Sequence, residues 1–175
     1  MKATGIVRRI DELGRIVIPK EIRRVLRIRE GDPIEIFTDA DGVVLKKYAR
    51  IRELGDYADT YCQALTGALG FSAAVTDTET ILFAAGSLRK KLQRAALSDS
   101  FVERMRARQS ILAPEGFPLL SGETPALRIG AVPIVSSGDV LGSVLIATDE
   151  PRLKLSETEL EILKTAALYL GKQLE

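Results

Sequence analysis

The sequence predicts an α+β protein of two folded parts, a small basic one at the N-terminus and a larger acidic one after it. Two observations predict this class. Short β-branched runs flank clusters of turn residues, which is typical of antiparallel hairpins. Other segments carry apolar residues at spacings of three and four, which is typical of amphipathic helices. A chain of 175 residues has room for two small domains.

Charge is distributed unevenly along the chain, although the net charge is only +1. Residues 1–53 hold 13 Lys and Arg against 9 Asp and Glu, whereas residues 54–175 hold 12 against 15. A cationic part joined to an anionic part predicts that only the first part meets a polyanion.

Several classes of chemistry are excluded by composition. Histidine is absent and Cys62 is the single cysteine, so one chain can build neither a disulfide, nor a zinc site of the usual ligands, nor a Ser–His or Cys–His catalytic pair. The Met1 end lacks the apolar segment of a signal peptide, and no apolar run reaches the roughly 18 residues that span a bilayer. We therefore expect a cytoplasmic protein that is not an enzyme and that has no cofactor and no metal.

Residues 5–18 are predicted to form a first hairpin. The runs GIVRRID (residues 5–11) and RIVI (residues 15–18) are β-branched and extended in character. The sequence Asp11-Glu12-Leu13-Gly14 between them has turn chemistry, with a glycine that can adopt positive φ.

A short helix is predicted next. Pro19 suits the first helical position, because its missing N–H is not needed there. Ile22, Val25 and Leu26 are expected on the buried side, and Gly31 after the end. The solvent side carries the basic residues Lys20, Arg23, Arg24 and Arg27.

A second hairpin pairs residues 33–38 with residues 43–48 around Asp39-Ala40-Asp41-Gly42, since Asp-Gly between alternating runs favours a tight turn. These elements span about 48 residues, and a domain so small buries too little apolar surface without a disulfide or metal. We therefore expect an obligate homodimer with strands of both chains in one sheet or barrel.

The second part is predicted to follow the order α, β, β, α, β, β, α. Residues 49–69 carry a helical apolar stripe, and a helix over residues 87–108 is broken near Ser98 or Ser100, either of which caps the second piece. Residues 111–125 are rich in Pro and Gly and read as a loop. Ser156, with Glu159 three residues later, forms the capping box of a last helix. Strands are expected at residues 71–76, 80–85, 126–135 and 140–147.

The basic residues of the N-terminal part form the candidate site. An arginine carries a fixed charge and a planar fork that matches phosphate or the edge of guanine. Spacing alone is also compatible with a solvated charged surface, because acidic residues are interspersed. The candidates are Arg8, Arg9, Arg15, Lys20, Arg23 and Arg24.

Residues 4–48 resemble the AbrB-type swapped-hairpin DNA-binding domain, through the run DELGRIVIPKEIR and its flanks. The resemblance implies that hairpins of two chains interleave into one β-barrel whose arginine-rich surface contacts double-stranded DNA. By motif match, Arg8, Arg15, Arg23 and Arg24 correspond to the DNA-contacting arginines of the family. Arg9 and Lys20 lie beside them.

The order of elements in residues 56–175 resembles a GAF domain, a six-stranded antiparallel sheet with helices packed on it. The predicted domains are therefore 1–50 (AbrB-like), 51–70 (linker helix) and 56–175 (GAF-like, for regulation and oligomerisation). We expect a homodimer through the first domain and a tetramer through the second. An unidentified small-molecule effector would have residues 112–125 and the helix from Ser87 as the walls of its pocket.

Three functional hypotheses remain open at this point. The first is a transcriptional regulator, acting as activator or repressor, and the second is an antitoxin-like interaction module with the same N-terminal fold. Antitoxins usually carry a disordered toxin-wrapping tail, whereas the C-terminal half here is periodic and apolar. The third, a small-molecule enzyme built on the second domain, is disfavoured by the absence of histidine.

Overall fold

The computed structural model describes residues 5–26, 28–40, 42–48, 50–122 and 125–175. The chain divides into two compact units, Met1–Tyr48 (the N-terminal unit) and Ala49–Glu175 (the C-terminal unit). Arg27 and Asp41, assigned above to a helix surface and a turn, lie outside the described residues.

The N-terminal unit contains one short helix and one hairpin. Helix α1 spans Lys20–Val25, and strands β1 (Ile34–Asp39) and β2 (Gly42–Lys47) pair antiparallel. Ile36 lies opposite Leu45 and Asp39 opposite Gly42, so the predicted second hairpin is confirmed, with Asp39 and Gly42 paired in the strands and not in the turn.

The first predicted hairpin is only partly confirmed. A turn is present at residues 12–14, but residues 5–11 and 15–18 are not β-strands. The predicted buried side of α1 is also wrong, since Val25 and Leu26 are exposed and Ile22 is half-buried. Both differences have one physical reason: extended runs become strands only when a second strand satisfies their backbone, and apolar side chains are buried only when something covers them.

The C-terminal unit begins with a 3-10 helix, Arg50–Leu54, which leads directly into α2, so the predicted long helix starts with a tighter turn. A guanidinium N–H of Arg50 donates to the carbonyl of Leu174 and ties this turn to the end of the unit. The further elements are α2 (Gly55–Leu69), β3 (Ser72–Thr76), β4 (Ile81–Ala85), α3 (Arg89–Leu92), α4 (Asp99–Arg106), β5 (Ile111–Phe117), β6 (Leu127–Ser136), β7 (Asp139–Thr148) and α5 (Glu157–Lys172).

Five of these strands form one antiparallel sheet in the order β4-β3-β7-β6-β5. Side chains alternate between its two faces, as a period of two requires. Ala73, Val75 and Ile146 pack with α2 and α5 in one core, while Ala74 and Leu145 pack with α3 and α4 in another. The α+β class is therefore confirmed.

Strand β5 was missed in the sequence, where residues 111–125 read as a loop. It lies at the edge of the sheet, pairs only with β6, and its register shifts between Ala113 and Phe117. Pro114 and Gly116 lie inside this shift. Proline is tolerated at edges and bulges because no ladder partner needs its N–H there, so its presence does not exclude a strand.

Both predicted helix caps are confirmed. The side chain of Ser98 accepts from the backbone N–H of Phe101 at 3.2 Å and begins α4. At α5, the carboxylate of Glu159 accepts from the backbone N–H of Ser156 at 2.8 Å, which completes the capping box. Among the described residues, no helix is long and apolar enough to cross a membrane.

Candidate nucleic-acid interface

The turn between Asp11 and Arg15 shapes the tip of the candidate site. The backbone N–H of Asp11 donates to the carbonyl of Arg15 at 3.0 Å, and that of Gly14 donates to the carbonyl of Asp11 at 2.9 Å. Gly14 has φ of +74°, a conformation that glycine adopts without strain. The turn therefore reverses the chain between Asp11 and Arg15.

One carboxylate organises this turn. Oδ1 of Asp11 accepts from the backbone N–H groups of Leu13 (3.0 Å) and Arg15 (2.8 Å), while Oδ2 accepts from Nε of Arg15 at 2.8 Å. The backbone N–H and then the side chain of Arg15 hold the pKa of Asp11 below its usual value of 3.8. Asp11 thus fixes both the backbone and the side chain of a candidate DNA-contacting arginine.

All six candidate cations are exposed to solvent. Arg8 and Arg9 lie before the turn, Arg15 lies directly after it, and the remaining three lie on α1. Of these six, only the side chain of Arg15 has a polar contact among the described residues, to Asp11, and no contact joins one candidate cation to another. The set is Arg8, Arg9, Arg15, Lys20, Arg23 and Arg24.

Helix α1 presents its cations at favourable positions. Pro19, predicted at the first helical position, is instead the N-cap, one residue before the helix begins at Lys20, and its carbonyl accepts from the N–H of Arg23 at 2.9 Å. Glu21 lies in the first turn, whereas Arg23 and Arg24 lie in the last. Acidic groups near the N-terminus and basic groups near the C-terminus both complement the helix dipole. The helix is therefore compatible with two exposed arginines at its end.

The N-terminal unit also exposes much apolar surface. Val7, Leu13 and Val25 are 85%, 74% and 78% exposed, and Ile36 on β1 is 67% exposed. Isolated exposed apolar residues are ordinary, but a cluster within one small unit marks an interaction surface. The cations and this uncovered apolar surface lie on the same unit.

The C-terminal unit contains fewer candidate functional groups than the N-terminal unit. Cys62 is fully buried, and burial raises the pKa of its thiol to about 12, so it is an unreactive core residue. The predicted walls of an effector pocket pack together instead, with Leu92, Phe101, Met105 and Leu119 in one core. Across the described ranges, no group of three or more acidic or cysteine residues is placed to hold a metal ion.

Sequence reasoning missed the contacts of Asp11 with Arg15, because Asp11 was predicted only as a turn residue and counted among the interspersed acidic residues. The position of Asp11 in the sequence could have predicted these contacts. An Asp at the start of a tight turn accepts hydrogen bonds from backbone N–H groups two or more residues later in the chain.

Comparison with known proteins covers both units. The family described as "Stage V sporulation protein T C-terminal, transcription factor" matches residues 53–175, and the family described as "Antidote-toxin recognition MazE, bacterial antitoxin" matches residues 7–53. Stage V sporulation protein T of Bacillus subtilis is 45% identical over 100% of this chain and 99% of its own length. The transition state regulatory protein AbrB of the same organism is 60% identical over 27% of this chain and 50% of its own length.

Solved structures are similar to the C-terminal unit. The GAF domain of the nutrient sensor CodY from Clostridium difficile has a TM-score of 0.51 at 16% identity, over 67% of this chain and 83% of that one. A free methionine-R-sulfoxide reductase from Thermoplasma acidophilum has a TM-score of 0.54 at 12% identity, over 71% and 94%. At such identities the likeness concerns the fold alone, and it confirms the GAF-like prediction, with five described strands in place of six. Because the match to stage V sporulation protein T spans the whole chain, this protein belongs to the stage V sporulation protein T family of transcription factors.

Proposed function

We propose that this protein regulates transcription during sporulation by binding double-stranded DNA through the N-terminal unit of a homodimer. The proposal is supported above all by one observation: six exposed cations lie on the same small unit as an uncovered apolar surface. The contacts are proposed for Arg8, Arg15, Arg23 and Arg24, with Arg9 and Lys20 beside them. In this proposal the protein acts through DNA and is not an enzyme. It works in the cytoplasm.

The dimer follows from the uncovered apolar side chains. Ile16 and Val17 are more than half exposed, as is Val25 on α1. Burying a side chain of this size contributes about 1.5–3 kcal/mol, so a second chain that covers several of them gains substantial free energy. The extended runs at residues 5–11 and 15–18 then acquire strand partners from the other chain, which gives the proposed swapped-hairpin barrel.

Dimerisation doubles the cationic surface of the N-terminal unit and gives it twofold symmetry. Each guanidinium can donate two parallel hydrogen bonds to a phosphate or to O6 and N7 of guanine. Arg15 keeps its terminal Nη groups without a partner among the described residues, because only its Nε is bound to Asp11. Arginines from a turn and a helix on each chain thus offer several phosphate contacts held on one support.

The C-terminal unit is proposed to join dimers into a tetramer. A groove of about 320 Å³ runs between α2 and α5, and Tyr57, Tyr61 and Tyr169 line it. The rings of Tyr61 and Tyr169 stack with centroids 6.1 Å apart, while Tyr57 is 73% exposed. An aromatic, mostly apolar groove of this kind is suited to a second copy of the same helices. Holding two dimers together lets the protein bridge operator sites, whether it activates or represses.

An antitoxin-like role is the alternative, since the family that matches residues 7–53 is described as an antitoxin. That role needs a segment that folds on a toxin. The C-terminal unit is instead a folded domain with two apolar cores, which favours regulation through DNA.

The decisive experiment measures duplex affinity of the full chain, with Arg15→Ala, Arg24→Ala and the control Lys90→Ala on α3. Each arginine variant is expected to lose about ten-fold or more in affinity, because a charge-assisted contact is removed. The control should bind as the wild type does. Affinity should also fall steeply with salt, because phosphate contacts release counterions. Unchanged affinity in both arginine variants, or a flat salt response, would refute the proposal.

A further inference from the structure

A cationic cavity lies in the C-terminal unit. It has a volume of about 430 Å³ and opens beside β4. Arg52 of the 3-10 helix and Arg94 after α3 contribute two guanidinium groups, while the half-buried Leu82 and Phe83 supply apolar side chains. This volume lies within the range of small-molecule sites, which are mostly apolar with a few placed polar groups.

Arg94 is held in an unusual backbone conformation. Its φ is +66°, in the left-handed region that arginine seldom occupies. Two hydrogen bonds fix it there: the N–H of Arg94 donates to the carbonyl of Ile81 at 2.8 Å, and the N–H of Ile81 donates to the carbonyl of Ala95 at 3.0 Å. Strained residues of this kind cluster at ligand sites. In the described part of the chain, the guanidinium of Arg94 has no hydrogen bond or ion pair.

Among the described residues, Arg52 pairs with the carboxylate of Asp77, at 3.2 Å from its Nη2. That carboxylate is already engaged, because its Oδ1 accepts from the backbone N–H groups of Glu79 (2.8 Å) and Thr80 (2.7 Å). Asp77 is buried and fixed, whereas the side chain of Arg52 is 63% exposed. The cavity is therefore lined by two guanidinium groups, of which only that of Arg52 pairs with a carboxylate among the described residues.

We propose that this cavity binds a small carboxylate with a short aliphatic body. The planar fork of Arg94, joined by Arg52, matches a carboxylate, and the side chains of β4 match a hydrocarbon chain. The anion competes with Asp77 for Arg52. This site goes beyond the proposed DNA binding and does not depend on it.

Isothermal titration of the full chain with hexanoate, in the absence of DNA, tests the ligand class. Hexanoate is expected to bind at one site per chain, while hexan-1-ol, which lacks the charge, and inorganic phosphate, which lacks the aliphatic body, bind at least about ten-fold more weakly. No binding of hexanoate, or equal binding of either comparison compound, would overturn the proposal.

Variants locate the site. Arg94→Gln should weaken hexanoate binding by about ten-fold or more, and Arg94→Lys, which keeps the charge but not the fork, should fall between it and the wild type. Lys90→Gln, which removes a nearby exposed charge from α3, should change nothing. Asp77→Asn should strengthen binding, because it releases Arg52 while an amide oxygen still accepts the two turn N–H groups. Wild-type affinity in Arg94→Gln would overturn the assignment, and it would leave the DNA proposal untouched because no DNA is present.

Discussion

Asp11 binds Arg15 twice, through the backbone N–H at 2.8 Å and through Nε at 2.8 Å. The first bond closes the turn, and the second sets the direction in which the guanidinium leaves it. The terminal Nη groups are the part of Arg15 that remains for a phosphate or a base. In the proposed DNA interface, Asp11 would thus act by orienting a cation, although its own charge would repel the DNA.

Replacing Asp11 separates these two effects. Asp11→Ala should weaken duplex binding several-fold, because Arg15 loses its orientation and the turn loses its acceptor. Glu12→Gln is the matched control, since it removes one exposed negative charge from the same turn without touching Arg15, and it should leave affinity equal or slightly higher. Both variants are compared with the wild type by fluorescence anisotropy at fixed salt. Stronger binding by Asp11→Ala would show that repulsion, and not orientation, dominates.

The titration of Asp11 provides a prediction about pH. Its pKa is lowered in the folded chain, so its contribution to the turn is present above the usual value of 3.8 and is lost as the pH falls through the lowered pKa. NMR detection of the Asp11 carboxyl carbon should therefore give a midpoint below 3.8. In Arg15→Ala the midpoint should rise but stay below 3.8, because the backbone N–H of residue 15, the largest cause, remains. A midpoint at or above 3.8 in the wild type would contradict the turn geometry.

Interactions between residues close in the chain made much of the fold predictable from the sequence. The Ser156–Glu159 capping box and the hairpin around Asp39 and Gly42 depend on residues close in the chain, and both were placed correctly. The predictions that were wrong depend on contacts with residues that the sequence does not identify. The burial of Val25 was expected from its helical period, yet period alone does not say whether the covering surface belongs to the same chain.

At the candidate site, too, the residue types were predicted from the sequence, whereas the contacts between side chains were not. Cations were identified by type and motif, but the role of Asp11 required knowing that its two oxygens face different donors. Likewise, Arg94 falls within the helix that the sequence predicted over residues 87–108, whereas α3 ends at Leu92. Its left-handed backbone and its place beside β4 come from the turn after α3, which no spacing rule predicts.

Gly171 on α5 should be intolerant of any side chain. A Cβ there would lie 2.4 Å from the carbonyl oxygen of Val135, a backbone atom that cannot easily move. Gly171→Ala should therefore reduce the free energy of unfolding by about 1–3 kcal/mol, the usual range for overpacking. Gly67 on α2 is the matched control: it is exposed, it has no atom within 4 Å of its would-be Cβ, and alanine there should stabilise by about 0.5–1 kcal/mol. Urea unfolding of both variants gives the comparison, and equal stabilities would contradict the close approach of α5 to β6.

Tyr57 should matter for assembly more than for folding. It is 73% exposed and lines the groove between α2 and α5, so Tyr57→Ser removes apolar surface from the proposed tetramer contact while the fold of each chain is kept. Sedimentation at micromolar concentration should show a shift from tetramer to dimer. Lys91→Ser on α3, which packs on the other face of the sheet, should leave the tetramer intact. A wild-type protein that sediments as a dimer would remove the tetramer from the proposed function.

Cys62 should make the C-terminal unit less stable in alkali. Burial raises the pKa of the thiol from 9.0 to about 12 in the folded chain, so the protonated form is favoured there more than in the unfolded chain. Its contribution is therefore full below pH 9 and is lost as the pH rises from 9 towards 12, with a slope of at most about 1.4 kcal/mol per pH unit. Other groups titrate in this range as well, so the measured quantity is the difference in unfolding free energy between the wild type and Cys62→Ala. That difference should shrink by about 1 kcal/mol between pH 9 and 10. A difference that stays constant over this range would mean that the thiol is not buried as the fold requires.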